Sequence, residues 1–246
     1  MNPAAPQLSI VIPAFNEESR LPASLAKLAD YAARAGLAAE VLVVDDGSSD
    51  RTAEVAREAG ARLGLALEVH RLARNCGKGR AVRAGALLAR APRVLVTDAD
   101  LSTPIEEWEK LDATGAAVAI GSRALDESLV KQRQPIFRVV MGKLFNRLVQ
   151  LLLVPGIRDT QCGFKLFRRE AAQAVFSRAQ VDRFAYDVEA LLLARKLGLS
   201  IAEVPVLWFN SPDSRVGLLG GAQAYWDLLR IRLQVDKRLR EERVSK

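Results

Sequence analysis

The chain has 246 residues, half of them apolar and 26% charged, with a net charge of +7 and a sequence pI of about 9.7. That length and apolar content support a sizeable core in one large α/β domain or two small ones. A basic surface suits nucleic acid, an anionic membrane or a phosphorylated substrate, but aromatics are only 6% and none interleave with a basic patch to stack bases, so nucleic acid is set aside. Cys76, Cys162 and the single His70 offer no metal spacing. This excludes a zinc site of the usual kind and any Ser-His or Cys-His pair not built on His70. Two unpaired thiols suit a reducing compartment. No basic stretch leads into an apolar one near the start, as a signal peptide would require. No apolar run reaches the roughly 18 uncharged residues of a spanning helix. The expectation is a soluble or peripheral protein.

Residues 1–7 read as a loose lead-in. Leu8–Pro13 reads as a first strand whose ladder Pro13 stops, followed by the loop Ala14–Glu18. Ser19 to Gly36 has helical spacing, with Leu21, Leu25, Leu28 and Ala32 on one face. Glu40–Val44 is a second strand ending in Asp45 and Asp46. Gly47–Asp50 is a turn and cap cluster, and the helix after it runs from about Arg51 to Glu58 and stops at Gly60. Leu67–Leu72 is a third strand carrying His70 near its end, where a structural or surface role is expected. Asn75-Cys76-Gly77-Lys78-Gly79 leads into a helix of about Arg80–Arg90.

Val94-Leu95-Val96 is a buried strand that runs into Asp98-Ala99-Asp100, and Thr103-Pro104 resembles a helix start. Val118–Gly121 is a further strand leading into Ser122-Arg123. Residues 136–154 are strongly apolar, with Lys143, Asn146, Arg147 and Gln150 on one helical face, a pattern that fits a core helix or one lying in a membrane interface. Asp159–Lys165 is a polar loop. A helix of about Val188–Lys196 ends at Gly198, Ile201–Trp208 alternates like a late strand, and Asn210–Gly221 reads as a mobile loop. A basic helix begins at about Ala222. The alternation of strands and helices predicts a Rossmann-like, mostly parallel sheet flanked by helices. The expected organisation is one domain over residues 1–221 and a C-terminal basic amphipathic helix over 222–246.

In such a sheet ligands bind beyond the carboxyl ends of the strands. The ends Asp45/Asp46, Asp98/Asp100 and Ser122/Arg123 should therefore lie along one edge. If the backbone stays extended, Asp98 and Asp100 point the same way and can share a hard cation, Mg²⁺ or Mn²⁺. A carboxylate such as Asp46 can hold a base or ribose hydroxyls, and Arg123 can meet phosphate oxygens bidentately. That constellation describes a nucleotide-diphosphate substrate. Gly77-Lys78-Gly79 is not a P-loop, since no Ser/Thr follows Lys78 and Leu72 stands where the first glycine would be. No Gly-x-Gly-x-x-Gly follows the first strand, which disfavours a dinucleotide enzyme.

The motifs Ile12–Glu17, Val44–Asp50, Asn75–Gly79, Asp98-Ala99-Asp100 and Gly121-Ser122-Arg123 together resemble the inverting glycosyltransferases of the GT-A fold, family 2. Arg158–Lys165 and Phe184–Glu189 are similar to that family's polyprenyl-phosphate branch, its dolichyl-phosphate glucosyl members above its mannosyl ones. The resemblance covers about residues 8–233. It implies hexose transfer, glucose from UDP-glucose being the best match, to dolichyl or polyprenyl phosphate at the cytoplasmic face of a membrane. It also implies nucleotide-sugar contacts from Pro13, Phe15, Glu17, Val44, Asp46, Lys78, Asp98 and Ala99. Mg²⁺ or Mn²⁺ would sit on Asp98 and Asp100, phosphate or acceptor contacts would come from Arg123, Lys165 and Arg215, and catalytic roles would fall to Asp100, Asp187 and Arg123. Ser102 departs from the mannosyl pattern, which carries Gln there as a metal ligand.

Overall fold

The structure is a computed structural model that describes residues 5–131, 146–209 and 218–244. The lead-in residues 1–4, residues 136–145 of the apolar segment (with Lys143) and Arg215 with the rest of 210–217 lie outside the described residues. The strands are β1 Leu8–Ala14, β2 Ala39–Asp45, β3 Ala66–Arg71, β4 Arg93–Val96, β5 Val118–Ser122, β6 Lys165–Arg168 and β7 Ile201–Pro205. They form one seven-stranded sheet in the order β3-β2-β1-β4-β6-β5-β7. Only β6 among these strands runs antiparallel to its neighbours, so β2, β4 and β5 all end at the same edge, as expected.

The helices are α1 Leu21–Ala35, α2 Thr52–Leu63, α3 Lys78–Leu88, α4 Trp108–Asp112, α5 over residues 146–152, α6 Arg169–Phe176, α7 Tyr186–Lys196 and α8 Leu218–Val244. Alternate strand residues face opposite sides of the sheet. Val11, Leu42, Val94, Val96 and Phe167 pack with α3, α6, α7 and α8. Ile10, Ile12, Val41, Val43 and Leu95 pack with α1 and α2. Both faces of the central strands are therefore covered, which is why they read as continuous apolar runs.

Several expectations need correction. β1 continues through Pro13 to Ala14, paired with β2 as Pro13↔Val44. Pro13 has the parity of Val11, whose carbonyl faces β4, and the β4 ladder has already ended at Val11↔Val96. The missing N–H therefore falls where no bond is required. α2 passes Gly60, whose Cα lies against Leu67, and ends at Gly64 with φ +65. On α1 the buried fourth position is Tyr31 rather than Ala32. Thr103-Pro104 leads first into a 3₁₀ turn, Ile105–Glu107, and then into α4. α7 starts at Tyr186, and α8 starts at Leu218, inside the stretch expected to be a loop.

The sequence expectations contained neither β6 nor α6. β6 is four residues, Lys-Leu-Phe-Arg, with a charge at each end, too short for a period to show. It exists because it pairs on both sides, Val94↔Phe167 with β4 and Val118↔Phe167 with β5. His70 lies on β3 and is exposed. Both cysteines are free. No helix among the described residues is long and apolar enough to cross a membrane.

Candidate functional site

Asp46 follows β2, and its carboxylate accepts the N–H groups of Cys76 and Gly77 at 2.8 and 2.7 Å. Burial pushes the carboxyl up, and those two N–H groups only partly offset it. Asp46 thereby positions the loop before α3. Val44 is buried inside β2. Beyond β1, Phe15 is about one-third exposed (37%), and Asn16 adopts φ +55. Asn16 is cross-braced to the other loop: its N–H donates to Ser48 Oγ at 2.9 Å, and its Oδ1 accepts from Ser49 N–H at 2.9 Å. Glu17 is buried, its N–H bonded to Thr52 Oγ1 at 2.7 Å and its carboxylate gripped by Arg20 through Nε (2.7 Å) and Nη2 (2.5 Å).

Asp98, Ala99 and Asp100 do not continue the strand. β4 ends at Val96, and Asp98–Leu101 is a turn closed by Leu101 N–H on Asp98 O at 3.1 Å. Leu101 holds φ +46, a conformation rarely kept by a branched side chain unless its surroundings enforce it. Strand alternation is thus not what relates the two carboxylates; the turn is. Asp98 Oδ1 accepts from Lys78 Nζ at 2.5 Å. Asp100 Oδ1 accepts from the N–H and hydroxyl of Ser102 at 3.0 and 2.9 Å, and its Oδ2 is 3.7 Å from Arg20. Burial works to raise the Asp98 carboxyl, but Lys78, with Lys165 and Arg123 further off, holds it below its usual value. Both Asp98 and Asp100 help raise Lys78 against the burial that would lower it. Ala99 between them is buried.

Close backbone approaches shape this corner. A Cβ on Gly163 would lie 2.2 Å from Asp98 Oδ2, so any side chain there would displace that carboxylate or the Gln161–Lys165 loop. Cβ atoms on Gly77 and Gly79 would lie 2.5 Å from Asp182 O and 2.3 Å from Val181 O. Lys78 is thereby held between two glycines jammed against the 181–183 segment, and its Nζ also lies 5.9 Å from the centre of the Tyr186 ring.

On the other half of the edge, Arg123 follows β5. Its Nε and Nη2 engage Asp159 at 2.7 and 2.9 Å, its own N–H donates to Asp159 Oδ2 at 3.0 Å, and its guanidinium lies 5.4 Å from the centre of the Trp208 ring. Burial works against both charges of this pair, but each overcomes it for the other: Arg123 is raised and Asp159 lowered. Lys165, at the start of β6, is 1% exposed. Its Nζ donates to Asp187 Oδ1 and to Cys162 O, both at 2.5 Å. Asp187 sits in the first turn of α7, so the pair bolts β6 to that helix. The edge therefore brings together the ends of β1, β2, β4 and β5 with the starts of β6 and α7. Sequence reasoning gave no role to Asp159, Gly163, Arg20 or Trp208, although Asp159 and Gly163 stand in a motif it singled out.

Among solved structures, the chain is similar to mannosyl-3-phosphoglycerate synthase from Rubrobacter xylanophilus (TM-score 0.68, 21% identity, covering 96% of this chain and 75% of that one). It is also similar to glucosyl-3-phosphoglycerate synthase from Mycobacterium tuberculosis, crystallised with Mn²⁺, UDP and glucosyl-3-phosphoglycerate (TM-score 0.65, 17% identity, covering 94% and 80%). The fold is that of GT-A glycosyltransferases. The family model for glycosyl transferase family 2 matches residues 9–176, and the chain belongs to that family. Its relatives include the dolichyl-phosphate β-glucosyltransferases of Mus musculus, 41% identical over 93% of this chain and 75% of the mouse protein, and of Homo sapiens, 40% identical over the same shares. The Saccharomyces cerevisiae enzyme of that name is 34% identical over 86% of this chain and 69% of its own length.

Proposed function

We propose that the chain transfers a glucosyl group from UDP-glucose to dolichyl or another polyprenyl phosphate, with inversion at the anomeric carbon. The observation that carries this reading is the 41% identity to a dolichyl-phosphate β-glucosyltransferase across 93% of the chain. Phe15, Glu17 and Asp46 take the nucleoside with Pro13 and the buried Val44 behind them, Lys78 and Ala99 line the donor, and Arg215 meets phosphate, while Arg123 and Lys165, paired with Asp159 and Asp187, brace that side of the site.

Asp98 and Asp100 fit a hard divalent cation, Mg²⁺ or Mn²⁺: they are oxygen donors on one turn, with the bonds from Lys78 and Ser102 made to Oδ1 of each. No group of three or more His, Cys, Asp or Glu that could hold a metal is found among the described residues, so water and donor diphosphate would complete the shell, as is usual for Mg²⁺. A bound cation would supply charge neutralisation of the leaving nucleoside diphosphate. Gln161 Nε2 is buried without a hydrogen-bond partner among the described residues, while the Tyr186 hydroxyl lies beside Asp187. An unpaired buried polar atom is costly, and a bound substrate would satisfy it.

The acceptor needs little acid–base help. A phosphate monoester has its second pKa near about 6, so its oxygen is anionic at neutral pH. The site's task is then to position two phosphates and neutralise them. Asp187, closed in a buried pair with Lys165, suits an orienting role better than that of a base. A saccharide hydroxyl as acceptor would need a true base. The basic composition, with Arg230, Arg232, Lys237 and Arg240 exposed on α8, supports a peripheral position on the cytoplasmic face of a membrane.

A donor screen tests the reading. Purified protein with Mn²⁺ or Mg²⁺ and a short polyprenyl phosphate is offered UDP-glucose, UDP-galactose, UDP-N-acetylglucosamine and GDP-mannose. A β-linked lipid-phosphate glucose formed from UDP-glucose, and lost with EDTA, is expected. Transfer from GDP-mannose alone would replace glucose with mannose, and no lipid product from any donor would overturn the assignment.

A further inference from the structure

The C-terminal helix α8 is wired to the loop that carries Lys78. Glu189, in α7, is fully buried. Its Oε2 accepts the N–H groups of Gln180 and Val181 at 2.8 and 2.7 Å, and its Oε1 accepts from Arg238 Nη2 of α8 at 2.5 Å. Arg238 also donates to the carbonyl of Arg178. The segment so held is the one pressed against Gly77 and Gly79, and Asp182 O accepts from Arg80 N–H at 3.1 Å. Lys78, between those glycines, bonds Asp98.

We propose that Glu189, with Arg238 as its charge partner, is a positioning residue for donor binding, so that docking of α8 sets the placement of Lys78. This rests on the reading of Lys78, Asp98 and Asp100 as the donor site. Val181 packs against the core, but apolar contact between the segment and α8 is interrupted. A cavity of about 230 Å³ separates residues 180–183 from Arg230, Ile231 and Gln234 of α8, so the carboxylate of Glu189 provides the rigid contact across the seam. A buried carboxylate that loses its cation is strongly disfavoured, so without Arg238 the two N–H groups would lose a firmly held acceptor.

The test compares wild type, Arg238→Met, Arg238→Lys and Lys196→Met by amide hydrogen exchange over residues 76–82 and 178–184 and by titration with UDP-glucose and Mn²⁺. Lys196→Met removes a different ion pair of the same seam, Lys196–Asp236 at 2.9 Å, without touching Glu189. Arg238→Met is expected to speed exchange in both peptides and to weaken UDP-glucose binding by about 5-fold or more, raising the donor KM with little change in kcat. Arg238→Lys should fall between, and it reads the same effect if the Met variant folds poorly. Lys196→Met should lower the melting temperature while leaving exchange over 76–82 and donor affinity at wild-type values. Equal behaviour of Arg238→Met and Lys196→Met over residues 76–82 overturns the proposal. Wild-type protein that binds no UDP-glucose would remove the donor reading, and exchange over 76–82 would still decide the coupling.

Discussion

Asp46 and Asp100, at the ends of β2 and β4, are hydrogen-bonded among the described residues only by backbone N–H groups and one hydroxyl, with Arg20 at 3.7 Å from Asp100. Asp159 and Asp187, beside β5 and β6, are each closed by a cation at hydrogen-bonding distance. N–H dipoles orient a carboxylate without cancelling its charge, so Asp46 and Asp100, with Arg20 no nearer than that, keep more of theirs for a bound cation, whereas Asp98 already shares Oδ1 with Lys78. In the second half, charge is cancelled internally and the same residue types act as struts. Burial separates the paired carboxylates further: Asp159 and Asp187 are closed off with their cations, whereas Asp98, though paired with Lys78, stays partly exposed and open to a ligand.

The sharpest break of that comparison is Asp100→Asn. It should lower kcat on the order of 10²-fold or more, while the melting temperature stays within about 2 °C of wild type. A change in the other half should do the reverse to stability. Lys165→Met strands Asp187 without its cation, and denaturant unfolding should show a loss of about 3–5 kcal/mol. The double variant Lys165→Met/Asp187→Leu should regain much of it, because removing both charges leaves no buried ion behind.

Asp159→Asn sharpens the comparison through pH. The folded protein holds Asp159 below its usual value. Its ionised form therefore contributes stability that is complete above the unfolded carboxyl pKa of about 3.9 and is lost as pH falls through the lower folded value. Wild type should lose stability below about pH 4 more steeply than Asp159→Asn, as followed by melting temperature against pH. The smallest effect concerns the thiols. Burial pushes the Cys162 thiol up, so it should resist iodoacetamide at pH 8, whereas the half-buried Cys76, beside the Asp46 carboxylate, should react and should be protected by UDP-glucose with Mn²⁺. Mass spectrometry of the labelled peptides reads both.

What could be read from sequence follows the same physics. β1, β2, β4 and β5 are buried on both faces, and their apolar runs announce them. Asp98 and Asp100 were legible because residue type and spacing after a strand suffice to suggest a hard-cation site. The turn that sets their geometry was not, since Leu101 at φ +46 is a state that neighbouring contacts impose. Arg123 stood out as a cation at a strand end, but its clamp, Asp159, lies 36 positions away, and only the insertion of β6 beside β5 brings them together. Gly163 was visible as one glycine among many, and its contact with Asp98 is a product of tertiary packing.

The central claim is that the acceptor is a phosphate needing no strong base, and the choice of acceptor tests it most directly. UDP-glucose and Mn²⁺ are supplied with a short polyprenyl phosphate or with the matching free polyprenol, and lipid-linked glucose is measured from pH 6 to 9. The account predicts product from the phosphate alone, with a rate nearly flat above about pH 7, where the acceptor is already ionised. Glucose transfer to the free alcohol, with a rate that climbs as a protein base deprotonates, would contradict it.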